Sequence, residues 1–403
     1  MKVLLVGSGG REHALAWKLS MAPRLEELHA APGNPGIANL GRCHPVHAED
    51  GEGLLALAGS LEADLVVVGP EAPLVAGVAD ELRHAGVPVF GPSAGAARIE
   101  GSKSFAKELM RDAGVPTAEL LPIGRPPCVI KADGLAAGKG VFICKDQPAL
   151  DLALDAARVF GDSIVIEELL EGEEISVLAL CDGAQAVALP AVQDFKRAED
   201  GDRGPNTGGM GSYSPLASFG AAEIEELLDA IHRPVIAELA ARGTPFVGTL
   251  FAGVMLTDDG PRVLEFNCRF GDPETQSLLP RLEGDLLGAL AAAASGHLSD
   301  SDLAVAENAA VTVVLSAGEY PAGVDVGSPI DGIESAQETG ALVFHAGTAL
   351  KGDRLVTNGG RILNVTATGD TVTDARERAY SACERISFPG MRYRKDIAGL
   401  AHV

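Results

Sequence analysis

Positive charge is scarce in this sequence, which has 32 Lys and Arg residues against 56 Asp and Glu residues and a formal net charge of −24. Nucleic acids and anionic membrane surfaces are bound through clustered Lys and Arg side chains. The charge balance therefore argues against both as partners. Any site for an anionic small molecule must concentrate its basic residues locally.

Long apolar runs and secretory signals are also lacking. No apolar run reaches the roughly 18 residues that a membrane-spanning helix needs. Residues 1–7 lead straight into a strand and a glycine turn without a cleavage pattern, which predicts a cytoplasmic location. The cysteines show no CxxC or metal-type spacing, so we expect reduced thiols. They are Cys43, Cys128, Cys144, Cys181, Cys268 and Cys383.

The length of 403 residues, 46% of them hydrophobic, predicts a globular chain of about two to four domains. Strands and helices alternate through the first hundred residues, as in an open parallel α/β sheet. Beyond residue 306, short strands separated by turns precede a terminal helix at about 373–385, which predicts a separate small α+β domain. This C-terminal region shows no catalytic constellation.

The stretch Lys131–Val141 joins two short apolar runs, so it predicts a β-hairpin whose tip has almost no side chains. Backbone N–H groups of such a tip can approach a ligand closely, and Lys131 and Lys139 select an anion, best a polyphosphate. It is not a Walker loop, because no Gly-Lys-Ser/Thr opens a helix here. The alternative is a flexible hairpin with solvated lysines.

A glycine turn, Gly7–Gly10, follows the first strand and opens a helix, an arrangement that binds anions. The sixth position of the dinucleotide fingerprint is Glu12 instead of Gly, and no carboxylate for a ribose ends the next strand, which disfavours NAD or FAD. The turn favours a phosphorylated small molecule, with a structural tight turn as the alternative. Asn34 and Glu71 lie just past strand ends, where α/β sheets bind ligands, although Glu71 could equally be a solvated turn carboxylate.

Three central segments add candidates. Lys103 lies in the first turn of a helix predicted over 103–113, where a cation opposes the helix dipole. The glutamate-rich segment 167–174 is either a solvated loop or a source of backbone groups for a purine and a carboxylate for a ribose. The second glycine-rich loop, 204–211, has basic residues just upstream, and its alternative is a disordered surface loop.

In the strand predicted over 262–270, Glu265, Asn267 and Arg269 alternate with apolar residues, so they share one face. A carboxylate and an amide two residues apart are oxygen ligands for Mg²⁺, which usually binds through few protein groups plus phosphates. The arginine can neutralise a transferring phosphoryl group. A half-exposed strand is the alternative.

These segments together resemble the ATP-grasp ligases and, within them, the phosphoribosylamine–glycine ligase family, over nearly the whole chain. The matching segments are 6–14, 69–74, 131–141, 204–211, 265–274 and 356–361. The resemblance implies an α/β and α+β multidomain chain. It has an open parallel α/β (pre-ATP-grasp) domain at 1–101, an ATP-grasp domain at 102–306 with a small mobile lid at about 117–180, and a small α+β domain at 307–403.

The resemblance also implies roles residue by residue. ATP would be held by Lys103, Lys131, Gly138, Lys139, Gly140, Glu167, Glu168, Leu170 and Glu174. Glu265 and Asn267 would hold Mg²⁺ or Mn²⁺, while Gly253 stands where many ATP-grasp enzymes have a third carboxylate. Catalytic roles would fall to Lys131, Asn206, Gly209 and Arg269. Substrates would be bound by Gly9, Gly10, Arg11, Asn34, Glu71, Asp194 and Lys196.

The implied reaction joins glycine to 5-phosphoribosylamine with ATP, giving glycinamide ribonucleotide, ADP and phosphate, an early step of purine biosynthesis. The expected partners are these small molecules, with no nucleic acid or membrane and a monomeric or weakly oligomeric chain. Two rivals stay open. One is another ATP-grasp carboxylate–amine ligase or carboxylase, and the other is a non-catalytic nucleotide sensor on the same fold.

The lid is expected to be thin. Only the ten residues 118–127 separate Thr117 from Cys128, and three of them are prolines, so no helix of useful length fits. We therefore predict a small sheet backed mainly by one helix at about 150–160. Such a lid should be mobile at 134–140 without nucleotide and should become ordered when ATP and Mg²⁺ bind.

Overall fold

The computed structural model describes residues 1–136, 139–161, 163–217, 219–299 and 303–399. None of the helices it describes is long and apolar enough to cross a membrane. Three regions follow one another along the chain, and a large cavity lies where they meet.

The N-terminal region alternates strands and helices, as predicted. Its elements are β1 (Lys2–Gly7), α1 (Gly10–Leu19), β2 (Glu27–Pro32), β3 (Arg42–Cys43), α2 (Gly51–Leu61), β4 (Leu65–Val68), α3 (Glu71–Ala76), α4 (Val78–His84), β5 (Val89–Phe90) and α5 (Ala94–Gly101). The strands form one parallel sheet in the order β3-β2-β1-β4-β5. Strands β1 and β4 are almost wholly buried apolar runs, because helices cover both faces of such sheets.

The central region carries most of the predicted site. Its elements are α6 (Lys103–Ala113), β6 (Cys128–Ala132), β7 (Val141–Cys144), α7 (Gln147–Ala157), β8 (Ile164–Glu168), β9 (Glu173–Asp182), β10 (Ala186–Ala188), β11 (Gln193–Asp194), β12 (Arg197–Glu199), β13 (Arg203–Asn206), β14 (Gly211–Ser214), α8 (Ala221–Leu227), α9 (Arg233–Ala241), β15 (Val247–Thr257), β16 (Gly260–Asn267), α10 (Glu274–Leu278), β17 (Leu282–Gly284) and α11 (Leu286–Ala294). The main sheet is antiparallel, in the order β10-β9-β15-β16. A π-helical turn, Leu228–His232, separates α8 from α9 just before Pro234.

The lid is a three-stranded sheet, β7-β6-β8, packed on α7. No helix lies within residues 118–127, all of which the structure describes, and α7 with the 3₁₀ turn Arg158–Phe160 backs the sheet. The predicted lid architecture is therefore confirmed. The lid has a small apolar core of its own, formed by Cys128, Ile130, Ala132, Cys144, Leu150, Ala153 and Ala157.

The C-terminal region is α+β, as predicted, but its sheet is not separate from the central region. Its elements are β18 (Leu303–Val305), β19 (Ala309–Ser316), β20 (Asp325–Pro329), α12 (Ile333–Gln337), β21 (Leu342–His345), β22 (Thr348–Lys351), β23 (Arg354–Gly359), β24 (Arg361–Gly369) and α13 (Val372–Cys383). Its main sheet has the order β11-β14-β19-β24-β21, so it begins with two central strands. One apolar core also runs through all three regions and includes Leu4, Leu250 and Val311.

Candidate active site

A cavity of about 1060 Å³ lies between the lid hairpin, the end of β16, the N-terminal loops and three residues of the C-terminal region, Tyr320, Arg361 and Ala398. Most of the predicted site residues line it, which brings together groups from the N-terminal and central regions. These are Arg11, Glu71, Lys103, Lys131, Lys139, Gly140, Glu167, Glu168, Leu170, Glu174, Asp194, Lys196, Asn206, Glu265, Asn267 and Arg269. Gly138 lies outside the described residues.

Strand β16 presents Glu265 and Asn267 to this cavity, as predicted, while Arg269 lies two residues beyond the strand end. Glu265 pairs with Gly253 of β15, and a register shift directly after this pair leaves Leu264 without a partner on β15. The Leu264 carbonyl instead accepts a hydrogen bond from Lys131 Nζ at 2.8 Å. The bulge therefore ties the hairpin lysine to the strand that carries the predicted metal ligands.

The Glu265 carboxylate makes no hydrogen bond or ion pair with the described part of the chain. Burial alone would raise its pKa, but the nearby cations, chiefly Lys196 and Lys131, hold the pKa of Glu265 below its ordinary value. The group is therefore an ionised carboxylate with free oxygens. Asn267 Oδ1 accepts from Arg269 Nη2 at 3.0 Å and keeps a second lone pair for a ligand.

Arg269 is held between two carboxylates. Its Nε lies 3.2 Å from Glu71 Oε2, and its Nη2 lies 3.3 Å from Glu100 Oε1. Burial opposes ionisation of Glu71, but Arg269 and Arg11 lower the pKa of Glu71 to about 2. Nothing in the sequence pattern points to Glu100, because it ends a helix far from Arg269 along the chain. The arrangement orients the guanidinium at the cavity wall.

The N-terminal glycine turn is built around Glu12. Gly9 N–H donates to Glu12 Oε2 at 2.6 Å, and Arg11 Nε–H donates to Oε1 at 2.6 Å. A Cβ atom on Gly7 would lie 2.6 Å from the Glu12 side chain, and one on Gly69 would lie 2.2 Å away. The residue that departs from the dinucleotide fingerprint therefore caps the helix itself and fills the space that the glycines leave.

Gly10 and Asn34 connect the N-terminal region to the rest of the chain. A Cβ atom on Gly10 would lie 2.2 Å from Asn364 Nδ2, so the helix start needs glycine for close packing. Asn34 Nδ2 donates to the carbonyls of Ser8 and His345, both at 2.9 Å, and its Oδ1 accepts from a backbone N–H. The Asn34 amide is therefore already engaged within the protein.

A buried chain of charges lies behind the predicted adenine hinge. Glu167, 2% exposed, pairs with Lys131 at 2.7 Å and with Lys107 at 3.0 Å. Lys107 Nζ also donates to Thr117 Oγ1 and to the Ala118 carbonyl, both at 2.8 Å. Lys107, which no sequence motif marks, thus joins helix α6 to the hinge and to the segment that enters the lid.

The cation in the first turn of α6 has a specific partner. Lys103 Nζ donates to the Gly134 carbonyl at 2.9 Å, while Lys103 N–H donates to Asp133 Oδ1 at 2.7 Å. The hairpin therefore supplies a carboxylate to this helix N-terminus, in addition to the Ser102 cap. Lys103 holds the base of the hairpin that carries Lys139.

The other hinge glutamates have partners within the protein. Glu168 Oε1 accepts from Arg262 Nη1 at 2.7 Å and from Glu119 N–H at 2.9 Å, so this oxygen is already engaged within the protein. Glu174 pairs with Lys196. Any hydrogen bond from a ligand to these side chains would therefore have to be shared with these contacts. Their backbone is engaged as well, because Glu168 N–H donates to the Glu119 carbonyl at 3.1 Å and the Glu174 carbonyl accepts from Gln193 Nε2 at 3.3 Å.

Asp194 carries an oxygen, Oδ1, that is buried and has no hydrogen-bond partner among the described residues. Burial, reinforced by Glu274, raises the pKa of Asp194 to about 8 although Lys196 opposes this. Asp194 and Lys196 both line the cavity. A cationic part of a substrate bound beside this carboxyl group would lower its pKa and stabilise the charge that burial disfavours.

A second cavity, of about 670 Å³, lies between the N-terminal turn and the C-terminal loops. Its wall includes Gly9 and Asn34 of the predicted substrate residues. Lys139 of the lid also reaches it, so the two cavities adjoin near the hairpin tip.

Comparisons with known proteins agree with this architecture over the whole chain. Three family models match in order: the phosphoribosylglycinamide synthetase N domain at residues 1–100, its ATP-grasp (A) domain at 101–275 and its C domain at 310–399. A phosphoribosylamine–glycine ligase from Streptomyces coelicolor is 51% identical, over 100% of this chain and 99% of that protein.

Solved structures extend the likeness to the fold. The phosphoribosylamine–glycine ligase of Thermotoga maritima superposes with a TM-score of 0.85 at 35% identity, covering 99% of this chain and 100% of that one. The biotin carboxylase domain of a Hydrogenobacter thermophilus 2-oxoglutarate carboxylase, solved with MgADP and bicarbonate, gives a TM-score of 0.70 at 17% identity, covering 97% and 91%. That second likeness is one of fold alone. The chain belongs to the phosphoribosylglycinamide synthetase family and has its three-domain, ATP-grasp architecture.

Proposed function

We propose that this chain ligates glycine to 5-phosphoribosylamine at the expense of ATP, giving glycinamide ribonucleotide, ADP and phosphate. The observation that carries the proposal is the single cavity in which Lys131, Glu265 and Arg269 meet, in a chain matched end to end by this family. These groups suit phosphoryl transfer to a carboxylate. The choice of glycine as the acid and phosphoribosylamine as the amine rests on the name of the relatives, phosphoribosylamine–glycine ligase.

ATP would bind between the lid and the central sheet. Lys103, Lys131 and Lys139 line the cavity and would contact the phosphates. The hinge from Glu167 to Leu170 would offer backbone groups to adenine, and Glu174 would face the ribose. Glu167 fixes Lys131 by the 2.7 Å ion pair, so the lysine is oriented before the phosphates arrive.

Glu265 and Asn267 suit a divalent cation, Mg²⁺ or Mn²⁺. Both offer hard oxygen donors on one face, and the Glu265 carboxylate has no partner among the residues that the structure describes, which leaves it available to a metal ion. Groups of three or more His, Cys, Asp or Glu side chains in ligating arrangement are absent from the described residues, which fits an ion bound largely by phosphates and water. Such an ion, when bound, neutralises charge on the phosphates.

In the first step, a carboxylate oxygen of glycine attacks the γ-phosphorus of ATP, and the bond to the bridging oxygen of ADP breaks. Lys131 and Arg269 would spread the charge on the transferring group. Asp194, with its unpartnered oxygen, would accept from the glycine ammonium, with Lys196 beside it. The products are ADP and glycyl phosphate.

In the second step, the nitrogen of phosphoribosylamine attacks the carbonyl carbon of glycyl phosphate, phosphate leaves and the nitrogen loses a proton. The loop with Asn206 and Gly209 would border this reaction. The amine would enter from the N-terminal side, near Gly9, Arg11 and Glu71. Gly10 and Asn34 would act by positioning, because their surroundings are already filled by the protein.

The domain limits near residues 101 and 306, with a lid at about 117–180, belong to the same proposal. They are supported by the separate parallel N-terminal sheet and by the lid's own core. A monomeric or weakly oligomeric state, the absence of nucleic-acid and membrane partners and a cytoplasmic location stay predictions.

ADP release with each substrate omitted in turn tests the proposal. We expect release only when glycine and a divalent cation are present, and glycinamide ribonucleotide by mass spectrometry only when phosphoribosylamine is added. Release driven by bicarbonate or another acid would favour a different ATP-grasp ligase or carboxylase. ATP binding without turnover would favour a nucleotide sensor.

A further inference from the structure

The segment 356–361 matches the family pattern but has no role in the chemistry above. It ends at Arg361, which lies in the wall between the two cavities. The residues that line both cavities are Lys139, Asp272, Tyr320 and Arg361. Two of these four, Tyr320 and Arg361, come from the C-terminal region, where the sequence shows no catalytic constellation.

Arg361 donates hydrogen bonds to the backbone of the second glycine-rich loop, residues 204–211. Its Nη1 donates to the Gly208 carbonyl at 2.6 Å and to the Asp272 carbonyl at 2.6 Å, and its Nη2 lies 3.2 Å from Asp272 Oδ2. Burial would lower its pKa, but Asp272 raises the pKa of Arg361 above the ordinary value. The guanidinium thus binds the loop backbone through Nη1 and the Asp272 carboxylate through Nη2.

Tyr320 holds the same residue from the other side, because Gly208 N–H donates to Tyr320 Oη at 2.9 Å. A Cβ atom on Gly208 would lie 3.2 Å from the Arg361 guanidinium carbon. Gly209 has φ +107° and a Cβ there would lie 2.3 Å from Pro273 Cδ. Gly209 therefore requires glycine, while a side chain on Gly208 would press on the Arg361 guanidinium.

The C-terminal sheet also fixes the downstream end of this loop. Val314 N–H donates to the Met210 carbonyl at 3.0 Å, and β14, which follows at once, pairs with β19. The loop is therefore bound at Gly208 by two side chains and at 210–214 by a strand of the same region. Its position depends on the C-terminal region as a whole.

We propose that Arg361 and Tyr320 are positioning residues for acyl transfer. They hold the loop Asn206–Gly209 against the wall that separates the two cavities. Loop and wall together form the partition at which the amine, entering from the N-terminal side, meets the acyl phosphate in the first cavity. This inference rests on the proposed function. If the partition loosens, water reaches glycyl phosphate, so its carbonyl carbon takes an oxygen from water and yields glycine and phosphate in place of the amide.

The test uses Arg361→Met, Arg361→Lys and Tyr320→Phe, with Arg354→Met on the neighbouring strand β23 as the matched control, because Arg354 is 63% exposed. The readouts are kcat, KM for ATP and the ratio of glycinamide ribonucleotide to ADP. We expect kcat to fall about 100-fold in Arg361→Met and about 10-fold in Tyr320→Phe, with the product ratio reduced and KM for ATP within about twofold. Arg361→Lys should recover part of the ratio.

Hydrogen exchange of residues 204–211 gives a readout that needs no substrate. We expect about tenfold faster exchange in Arg361→Met and Tyr320→Phe than in Arg354→Met. Unchanged exchange, or unchanged kcat and product ratio in the Tyr320→Phe variant, which keeps its volume, would overturn the positioning role. Failure of the unaltered chain to release ADP with glycine would instead overturn the proposed function, whatever the exchange data show.

Discussion

The lid and the C-terminal region both border the main cavity, but they are attached to the rest of the molecule in different ways. The lid has a core of its own. It is tied to the frame, by which we mean the rest of the molecule outside the lid, chiefly through polar contacts such as Lys103 to Gly134 and Lys107 to Glu167. The C-terminal region shares a sheet with β11 and β14 and shares its apolar core with the other two regions.

This difference follows the two halves of the proposed reaction. ATP must enter and ADP must leave, which requires a part that opens at low free-energy cost. The acyl phosphate must stay dry between the two steps, which requires a wall that does not open. A small separate core suits the first task, and a shared sheet suits the second.

The largest expected effect compares a substitution outside the lid that should slow the reaction with a substitution in the lid that should weaken ATP binding. Glu265→Gln keeps the shape of the side chain but removes a charged metal ligand, so kcat should fall by at least about 100-fold with ATP binding retained. Lys139→Gln on the lid should mainly raise KM for ATP, by about 10-fold. Steady-state kinetics and titration calorimetry measure both. Near-normal turnover of Glu265→Gln at saturating Mg²⁺ would remove Glu265 from the site.

Matched core substitutions sharpen the same comparison. Leu315→Ala in β19 and Leu150→Ala in α7 each remove a fully buried leucine side chain, which costs about 2–5 kcal/mol. In β19 the cost should lower the urea midpoint of the whole chain. In α7 it should instead populate an open lid, weakening ATP binding while the midpoint changes less. Equal midpoint shifts in the two variants would show that the lid unfolds only with the frame.

Local patterns in the sequence predict the helices and strands. They do not predict contacts between segments that are far apart along the chain. Helix α6 is predicted with its bounds, and β16 with its polar face, because capping and period two are local signals. Arg361 and Tyr320 act more than 100 residues from Gly208, so no window of sequence connects them. Glu12 is an intermediate case. The sequence shows it as an acidic residue among glycines. Only the structure shows that its side chain occupies the space beside Gly7 and Gly69.

The third prediction concerns pH at the junction between the N- and C-terminal regions. His345 N–H donates to His13 Nδ1 at 2.7 Å, and burial lowers the pKa of His13 to about 3 and that of His345 to about 4. In the unfolded chain both titrate near 6.5, so below that pH the unfolded state binds protons that the folded state cannot. The free energy of unfolding should therefore fall as pH drops from about 6.5 towards 4, by up to about 1.4 kcal/mol per pH unit for each histidine.

Urea unfolding at a series of pH values checks this slope. His13→Asn keeps an acceptor for the backbone N–H of His345 but cannot titrate. The slope of unfolding free energy against pH should therefore fall by up to about 1.4 kcal/mol per pH unit, which corresponds to one proton. His47→Asn, at an exposed histidine, should leave it unchanged. Residues 117–180 contain no histidine, so lid opening should not follow this titration. A slope that His13→Asn leaves intact would mean that other groups dominate the acid sensitivity.

The smallest expected effect is a difference between two regions of the native protein in how strongly their amide hydrogens are protected from exchange. In the hairpin, Ala132 N–H donates to the Gly140 carbonyl and Lys139 N–H to the Ala136 carbonyl, both at 2.8 Å, and the hairpin rests on α6 through Asp133. These contacts are few, so residues 132–136 and 139–142 should exchange amide hydrogens readily without nucleotide and about tenfold more slowly with ATP and Mg²⁺. Strand β14, which is buried between β11 and β19, should be strongly protected in both states. Equal, strong protection of the hairpin with and without nucleotide would contradict a lid that opens independently of the frame, and the contrast between the two regions would then be one of architecture without a difference in motion.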